Sequence, residues 1–340
     1  MNNSPRYYFT PVPTERKTNE YVNNFVGALS KEVNVVNLNK KVFARSYDFL
    51  INSFRSDIMI LNWPEDILHL RLGIIQLFAS FFVFTLFKIR GKKIIWVCHN
   101  KDSHTKKYKG LRILTRKFFT RIADKIIVHS EDALSYFPKQ KNKIFFLNHP
   151  VYENAKSDFP KSLISSIDVL IWGKISAYKG LNEFITNYKN LGCSFNVLIT
   201  GEADKSYVRI LQDNAIGTRV VIKDEFISNE QLQKYFNECK IILLPYLSTD
   251  TFSSGALIHS INSNKVIIGP RVGNFIDLEN EGACIAYGSV EEMLSIINKL
   301  LNDHVYYNDC LHSVTRGIAT YYEKNSWHNF IIKLIKIINS

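Results

Sequence analysis

The stretch IWGKISAYKGLNEF (residues 171–184) holds an apolar run that stops at Gly173, then a lysine, then Lys179–Gly180 where a helical pattern begins. A short apolar run closed by a glycine reads as a buried strand, and the pattern after Gly180 reads as a helix. Two glycines and two cations at that handover suit an anion. A helix N-terminus already attracts negative charge, and ammonium groups add mobile donors to it. Gly173, Lys174 and Lys179 are therefore candidates to hold a diphosphate and to neutralise the charge that grows on a departing nucleotide.

The same strand-then-helix handover recurs along the chain. In the first half the apolar runs predict strands at 5–10, 33–37, 57–61, 93–98, 125–129 and 144–147, with helices at 19–30, 67–89, 108–122 and 131–137. In the second half strands are predicted at 167–172, 195–200, 219–222, 241–244, 266–268 and 283–285. Helices there fall at 180–190, 204–214, 229–237, 254–263 and 290–302. Alternation of this kind, occurring twice, predicts an α/β protein with two doubly wound, Rossmann-like domains. The polar segment ENAKSDFPKS (153–162) separates them, giving domains at about 1–155 and 163–317. Ligands of such domains sit at the carboxyl ends of the strands, here expected to face a cleft.

A chain of 340 residues is long for one core and suits two. Its five cysteines lack CxxC spacing, which argues against a disulfide framework or zinc site and fits a reducing compartment. The N-terminus carries no apolar core of signal-peptide type, so a cytoplasmic location is expected. The net charge of +12 is concentrated: residues 88–125 hold thirteen Lys/Arg against Asp102 and Asp124. Such a block reads as a docking face for an anionic partner, either a membrane rich in acidic lipid or nucleic acid. Just before it lies LGIIQLFASFFVFTLF (72–87), shorter than the ~20 residues that span a bilayer. It reads as a buried helix, a membrane span, or a helix partly exposed at a membrane surface.

A second phosphate candidate is STDTFSSGALIHSI (248–261), where Ser253, Ser254 and Gly255 precede an apolar helix. Small residues there let backbone N–H groups approach an oxyanion, although a Ser N-cap with a glycine turn explains the same letters. No G-x-x-x-x-G-K-[ST] and no G-x-G-x-x-G after the first strand is present, which removes support for ATPase and dehydrogenase readings. No His/Asp/Cys spacing suggests a metal cage.

These motifs together resemble glycosyltransferases of the GT-B fold, in the family-4-like group and its bacterial polysaccharide-assembly branch. VLIWGKISAYKGLNEFI (169–185), FISNEQLQKYFNECKIILLPY (226–246) and SSGALIHSINSNKVIIGP (253–270) are similar to its second-domain signatures. NWPED (62–66), GKKIIWVCHNKDSH (91–104) and DKIIVHSEDAL (124–134) are similar to first-domain motifs. The resemblance implies a UDP- or GDP-sugar donor in the second domain and a lipid-linked saccharide acceptor in the first. It implies no metal or other cofactor and peripheral attachment to the inner membrane face through residues 88–125. It also implies that NSWHNFIIKLIKII lies in a last helix, within 318–340, that packs back on the first domain. Lys174, Lys179 and the Ser254–Gly255 amides would hold the diphosphate. The loop of Asp224, Glu225 and Phe226 would meet the base through its backbone.

One departure bears on mechanism. Retaining relatives carry two glutamates eight residues apart, and Thr251 and His259 fall at those positions here, with Asp250 adjacent. Without the two carboxylates the expectation leans to inversion, which needs a general base on the first domain. Glu65, His99 and His104 follow strands there and are the candidates. Two other readings stay open: a non-catalytic GT-B partner that binds nucleotide or sugar, and, more remotely, a nucleic-acid-binding protein.

Overall fold

A computed structural model of the chain describes residues 4–11, 19–38, 45–101, 108–152, 166–247 and 252–340. His104, Asp250, Thr251 and the expected linker at 153–162 lie outside the described residues. The chain divides into two compact units, Met1–Pro150 with Asn325–Ser340, and Val151–Lys324.

The first unit runs β1 (Arg6–Thr10), α1 (Glu20–Glu32), β2 (Asn34–Val35), α2 (Arg45–Arg55), β3 (Ile58–Asn62), a 3-10 segment Pro64–His69, and α3 (Gly73–Ile89). β4 (Lys93–Cys98), α4 (Lys109–Ile122), β5 (Lys125–Val128), α5 (Asp132–Ser135) and β6 (Ile144–Phe146) follow. The sheet has the order β2-β1-β3-β4-β5-β6 with every pair parallel. Ile58–Asn62 and Ile94–Cys98 are buried throughout, as continuous apolar runs must be in a sheet covered on both faces.

The expected helix at 67–89 is broken. Pro64–His69 forms the 3-10 segment, the chain turns through Leu70–Leu72, and α3 starts at Gly73. Leu72 sits in the left-handed region at φ 56°, which halts a right-handed helix. From Gly73 on, α3 buries Leu77, Val83, Phe84 and Phe87. Phe84 packs against Phe49 of α2 at 4.8 Å and Phe119 of α4 at 5.5 Å. Its other face stays bare: Ile75, Phe78, Phe82 and Ile89 are at least half exposed. No described helix is long and apolar enough to cross a membrane.

The second unit runs β7 (Ile167–Trp172), a 3-10 turn Ala177–Lys179, α6 (Leu181–Asn190), β8 (Val197–Gly201), α7 (Lys205–Ala215), β9 (Val220–Asp224) and α8 (Asn229–Glu238). It continues with β10 (Cys239–Leu243), α9 (Gly255–Ser260), a 3-10 turn Ile261–Ser263, β11 (Val266–Pro270), α10 (Asn274–Asn280), β12 (Ile285–Tyr287), α11 (Val290–Asn302) and α12 (His304–Lys324). Side-chain caps fix where several helices begin: Asp204 accepts from the Ser206 amide, Ser228 from Gln231 and Ser289 from Glu292. The parallel sheet has the order β12-β11-β10-β7-β8-β9. The chain therefore winds outward from β7 to β9, then returns to β7's other side, so the switch point lies between β7 and β10.

The last helix, α13 (Trp327–Asn339), belongs to the first unit. Trp327 meets Tyr21 and Phe330 meets Phe25, each at 5.3 Å, and Lys93 Nζ donates to the Ile338 carbonyl at 2.7 Å. Residues 318–324, expected in this helix, instead continue α12 in the second unit.

Candidate functional site

The motif at 171–184 ends at the switch point of the second sheet. Gly180 has φ 68°, and a Cβ there would overlap the Pro245 carbonyl, so only glycine lets the loops after β7 and β10 touch. Gly201, at φ 148°, does the same for the loops after β7 and β8, because a Cβ would enter the Gly173 carbonyl. Gly173 and Ile175 donate to the Thr200 and Glu202 carbonyls at 3.0 and 2.9 Å. Backbone packing between three strand ends fixes the main chain that carries the two lysines.

Lys179 and Lys174 differ in kind. Lys179 is 4% exposed. Its Nζ donates to the Trp172 carbonyl at 3.2 Å and lies 5.6 Å from the Tyr246 ring centroid. Burial pulls its pKa down to about 8. Lys174 is exposed at the loop surface. One cation is fixed and under-solvated, the other is free to move.

Ser254 is the N-cap of α9. Its Oγ accepts from the Leu257 amide at 3.1 Å and lies 3.0 Å from the Tyr246 hydroxyl. Its own amide donates to Asn274 Oδ1 at 3.0 Å, so of the Ser254–Gly255 pair it is the Gly255 amide that has no partner among the described residues. Ser253 precedes it, half-buried. Tyr246, which closes the 226–246 motif, and Asn274 were not singled out as site residues; both brace this turn, and the parallel order of β7, β10 and β11 brings them together.

Asp224 and Glu225 end β9 and follow it. Asp224 Oδ1 accepts from the Ala203 amide at 3.0 Å. Glu225 Oε1 accepts from the Tyr235 hydroxyl at 2.6 Å and from Thr200 Oγ1 at 3.0 Å. The Tyr235 bond leads in holding the Glu225 carboxyl below its usual value. Phe226 is 75% exposed beyond the end of this edge strand, an uncovered ring suited to stacking on a base. His259 lies on α9 against Tyr152 (4.5 Å) and Trp172 (5.8 Å), whose indole N–H donates to Ser260 Oγ at 2.9 Å.

In the first unit His99 follows β4. Its ring stacks on Trp63 at 4.0 Å, meets Tyr21 edge-on at 4.9 Å and lies 5.3 Å from His129. Burial, then the neighbouring His129 and His149, push its pKa well below the ordinary histidine value. Asn62 Nδ2 donates to the Thr10 carbonyl, so its Oδ1 faces His99 Nε2 at 3.0 Å and accepts a proton there. The neutral ring then carries its lone pair on Nδ1. His129, inside the DKIIVHSEDAL motif, was not singled out as a site residue, nor were His149 and Tyr21; the ends of β5 and β6 and helix α1 bring the three together. Glu65, in the 3-10 segment, lines a separate cavity of about 220 Å³ with Trp96, Arg112 and Arg116. The structure does not bring Glu65 and His99 into one cavity.

Several cations of the 88–125 block are already engaged. Lys88 pairs with Asp124 at 2.5 Å, Lys92 with Asp57, and Lys101 with Asp132 at 3.7 Å. Lys109, Lys117 and Arg121 remain exposed on α4. Among the described residues no group of three His, Cys, Asp or Glu is arranged to hold a metal ion.

No protein-family model matches the chain, and no curated protein matches it. Solved structures share its fold. Anabaena HepE in complex with UDP and glucose superposes with a TM-score of 0.70 at 12% identity, covering 98% of this chain and 99% of that one. The sucrose-phosphate synthase of Thermosynechococcus elongatus gives 0.66 at 13% identity, with 99% and 98% covered. A glycosyltransferase from Rickettsia africae gives 0.62 at 11%, with 98% of each chain covered. At such identities the likeness is one of fold, and that fold is the two-domain GT-B architecture.

Proposed function

We propose that this GT-B chain is a glycosyltransferase, moving a sugar from a nucleotide-sugar bound by residues 151–324 to a saccharide acceptor bound by the first unit. The observation that carries the reading is Lys179, a buried cation at the switch point of the second sheet whose one hydrogen-bond partner among the described residues is a carbonyl. A group in that state gains from an arriving diphosphate, and Lys174 and the Gly255 amide stand at the same strand ends. Phe226 offers its ring to the base, with Asp224 and Glu225 beside it. HepE is described in complex with UDP and glucose, which favours a UDP-sugar over a GDP-sugar as donor.

When the glycosidic bond to the donor breaks, charge grows on the leaving diphosphate. The two lysines neutralise it, so the reaction is proposed to proceed without a metal. His99 Nδ1 is the better-supported base, neutral and oriented through Asn62; Glu65 is the alternative. With Thr251 and His259 where retaining relatives carry glutamates, displacement inverts the anomeric centre.

The acceptor is proposed to be lipid-linked, in bacterial surface polysaccharide synthesis, with the protein attached to the inner membrane face. The bare apolar face of α3 and the exposed cations of α4 support this, since such elements lie in an anionic interface. A non-catalytic partner would bind the same donor and transfer nothing. Thermal melting with UDP- and GDP-sugars, followed by transfer assays, tests the reading. No shift with any nucleotide-sugar would refute it, because a ligand that binds only the native state must raise the melting temperature.

A further inference from the structure

The cavity that holds Glu65 has an unusual charge balance. Lys101, Arg112, Arg116 and Lys117 line it against that single carboxylate, and with Lys101 paired to Asp132 an excess of two positive charges remains. Arg112 is buried. The Arg116 guanidinium lies 4.4 Å from the Tyr136 ring centroid and 5.3 Å from that of Phe137, and its Nη2 is 3.8 Å from Cys98 Sγ. Neither Arg116 nor Lys117 enters an ion pair among the described residues. A guanidinium pre-oriented by stacking and held in no ion pair among the described residues suits a phosphate, whose oxygens match its planar fork.

The rest of the lining argues against a bare ion. Trp96, Phe119 and Tyr136 contribute an apolar floor. At about 220 Å³ the space is below the roughly 300 Å³ where pockets for whole small molecules begin, so it takes a head group and not an entire nucleotide-sugar. Ile113 both lines the cavity and is 45% exposed, next to exposed Leu114. From there α4 continues into α3 through Phe118 stacked on Phe81 at 4.0 Å. Apolar surface thus runs from the cavity onto the bare face of α3.

We propose that this cavity binds the phosphate end of an amphiphile, with its oxygens on Arg116, Lys117 and Arg112 and its hydrocarbon leaving past Ile113. The inference rests on the lipid-linked acceptor of the proposed function and names the part of it that is gripped. Calorimetric titration of the full chain tests it with farnesyl diphosphate, inorganic pyrophosphate, and phosphatidylcholine vesicles containing phosphatidic acid. UDP serves as the control for the donor end. Farnesyl diphosphate should bind, and Arg116→Gln and Lys117→Gln should each weaken it about tenfold, the loss expected for one charge-assisted contact. Arg116→Lys should recover part of that loss, and UDP affinity should stay unchanged throughout. Equal farnesyl diphosphate affinity in wild type and variants overturns the site. Pyrophosphate binding as tightly as farnesyl diphosphate overturns the amphiphile in favour of a free anion. Vesicle binding that needs Arg116 while farnesyl diphosphate is ignored assigns the cavity to bulk lipid and overturns the acceptor reading. Failure of UDP alone would refute the donor reading and leave the cavity standing.

Discussion

Replacing Lys179 by methionine should stabilise the sugar-free protein and weaken the donor complex. The side chain is buried, its one hydrogen bond among the described residues goes to the Trp172 carbonyl, and burial lowers its pKa from 10.5 to about 8. At about 1.4 kcal/mol per pKa unit, keeping the ammonium charged at pH 7 costs the fold roughly 3 kcal/mol. The sign follows from proton counting: between pH 8 and 10.5 the unfolded chain holds this proton and the folded one does not. The penalty is therefore full below about pH 8 and shrinks as pH rises towards 10.5. Methionine keeps the length of the stem and removes the charge, at the loss of a hydrogen bond of about 1 kcal/mol. The net gain is about 2 kcal/mol, or about 4–8 °C in melting temperature for a unit of this size. By pH 10 the gain should have disappeared. The same substitution removes a charge-assisted contact to the diphosphate, so UDP-glucose affinity should fall about tenfold to a hundredfold. Thermal melts at pH 7 and pH 10, with and without UDP-glucose, measure both effects. A variant that melts below wild type at pH 7, or binds UDP-glucose equally well, refutes the argument.

Phe226→Ala should weaken UDP binding by about 1–3 kcal/mol, the range for a base stacked on an aromatic ring, without lowering the melting temperature. An unchanged Kd in calorimetry would show that the ring does not meet the base. Proton NMR of the product from an α-linked donor should show a β linkage. His99→Ala should then abolish turnover while UDP binding persists; if Glu65→Gln does so instead, the base is Glu65. Phe78→Ser with Phe82→Ser, both on the bare face of α3, should leave melting unchanged and reduce sedimentation with anionic vesicles at least tenfold. Unaltered sedimentation would mean that the charges alone dock the protein.

Much of the fold was legible because buried parallel strands are written as uninterrupted apolar runs. Ile58–Leu61, Ile94–Cys98 and Val169–Trp172 stand out for that reason. Helices α2, α10 and α12 were not anticipated. In α12 the partly buried Tyr307, Cys310 and Leu311 and the buried Val314, Gly317, Ile318 and Tyr321 recur at helical spacing, a stripe diluted by the polar residues between them. One of them is a glycine that packs against the backbone at Gly282, a contact with no hydrophobic signature. The break before α3 depends on a left-handed Leu72, which sequence pattern does not reveal. At the candidate site the strand ends and their lysines were legible, because glycine and charge mark them. The partners that define their state were not. Lys179 reads as a solvated cation until its burial is seen, and Asn62 acquires meaning only through the proton it places on His99.

The backbone contacts at Gly180 and Gly201 bear on how the proposed donor site can change over evolutionary time. Where loop meets loop through bare main chain, no side chain can be exchanged to reshape the contact. Any larger residue must first push a carbonyl aside. Those positions are closed to gradual variation, whatever sugar the protein handles. Phe226 and Lys174, which project from the same strand ends into open space, can be replaced without disturbing anything beneath them. New donor preferences should therefore arise at the periphery of the site, around a centre that lineages inherit unaltered. A saturation library would make the contrast visible as near-total loss of folded protein at the two glycines and broad tolerance at the two exposed positions.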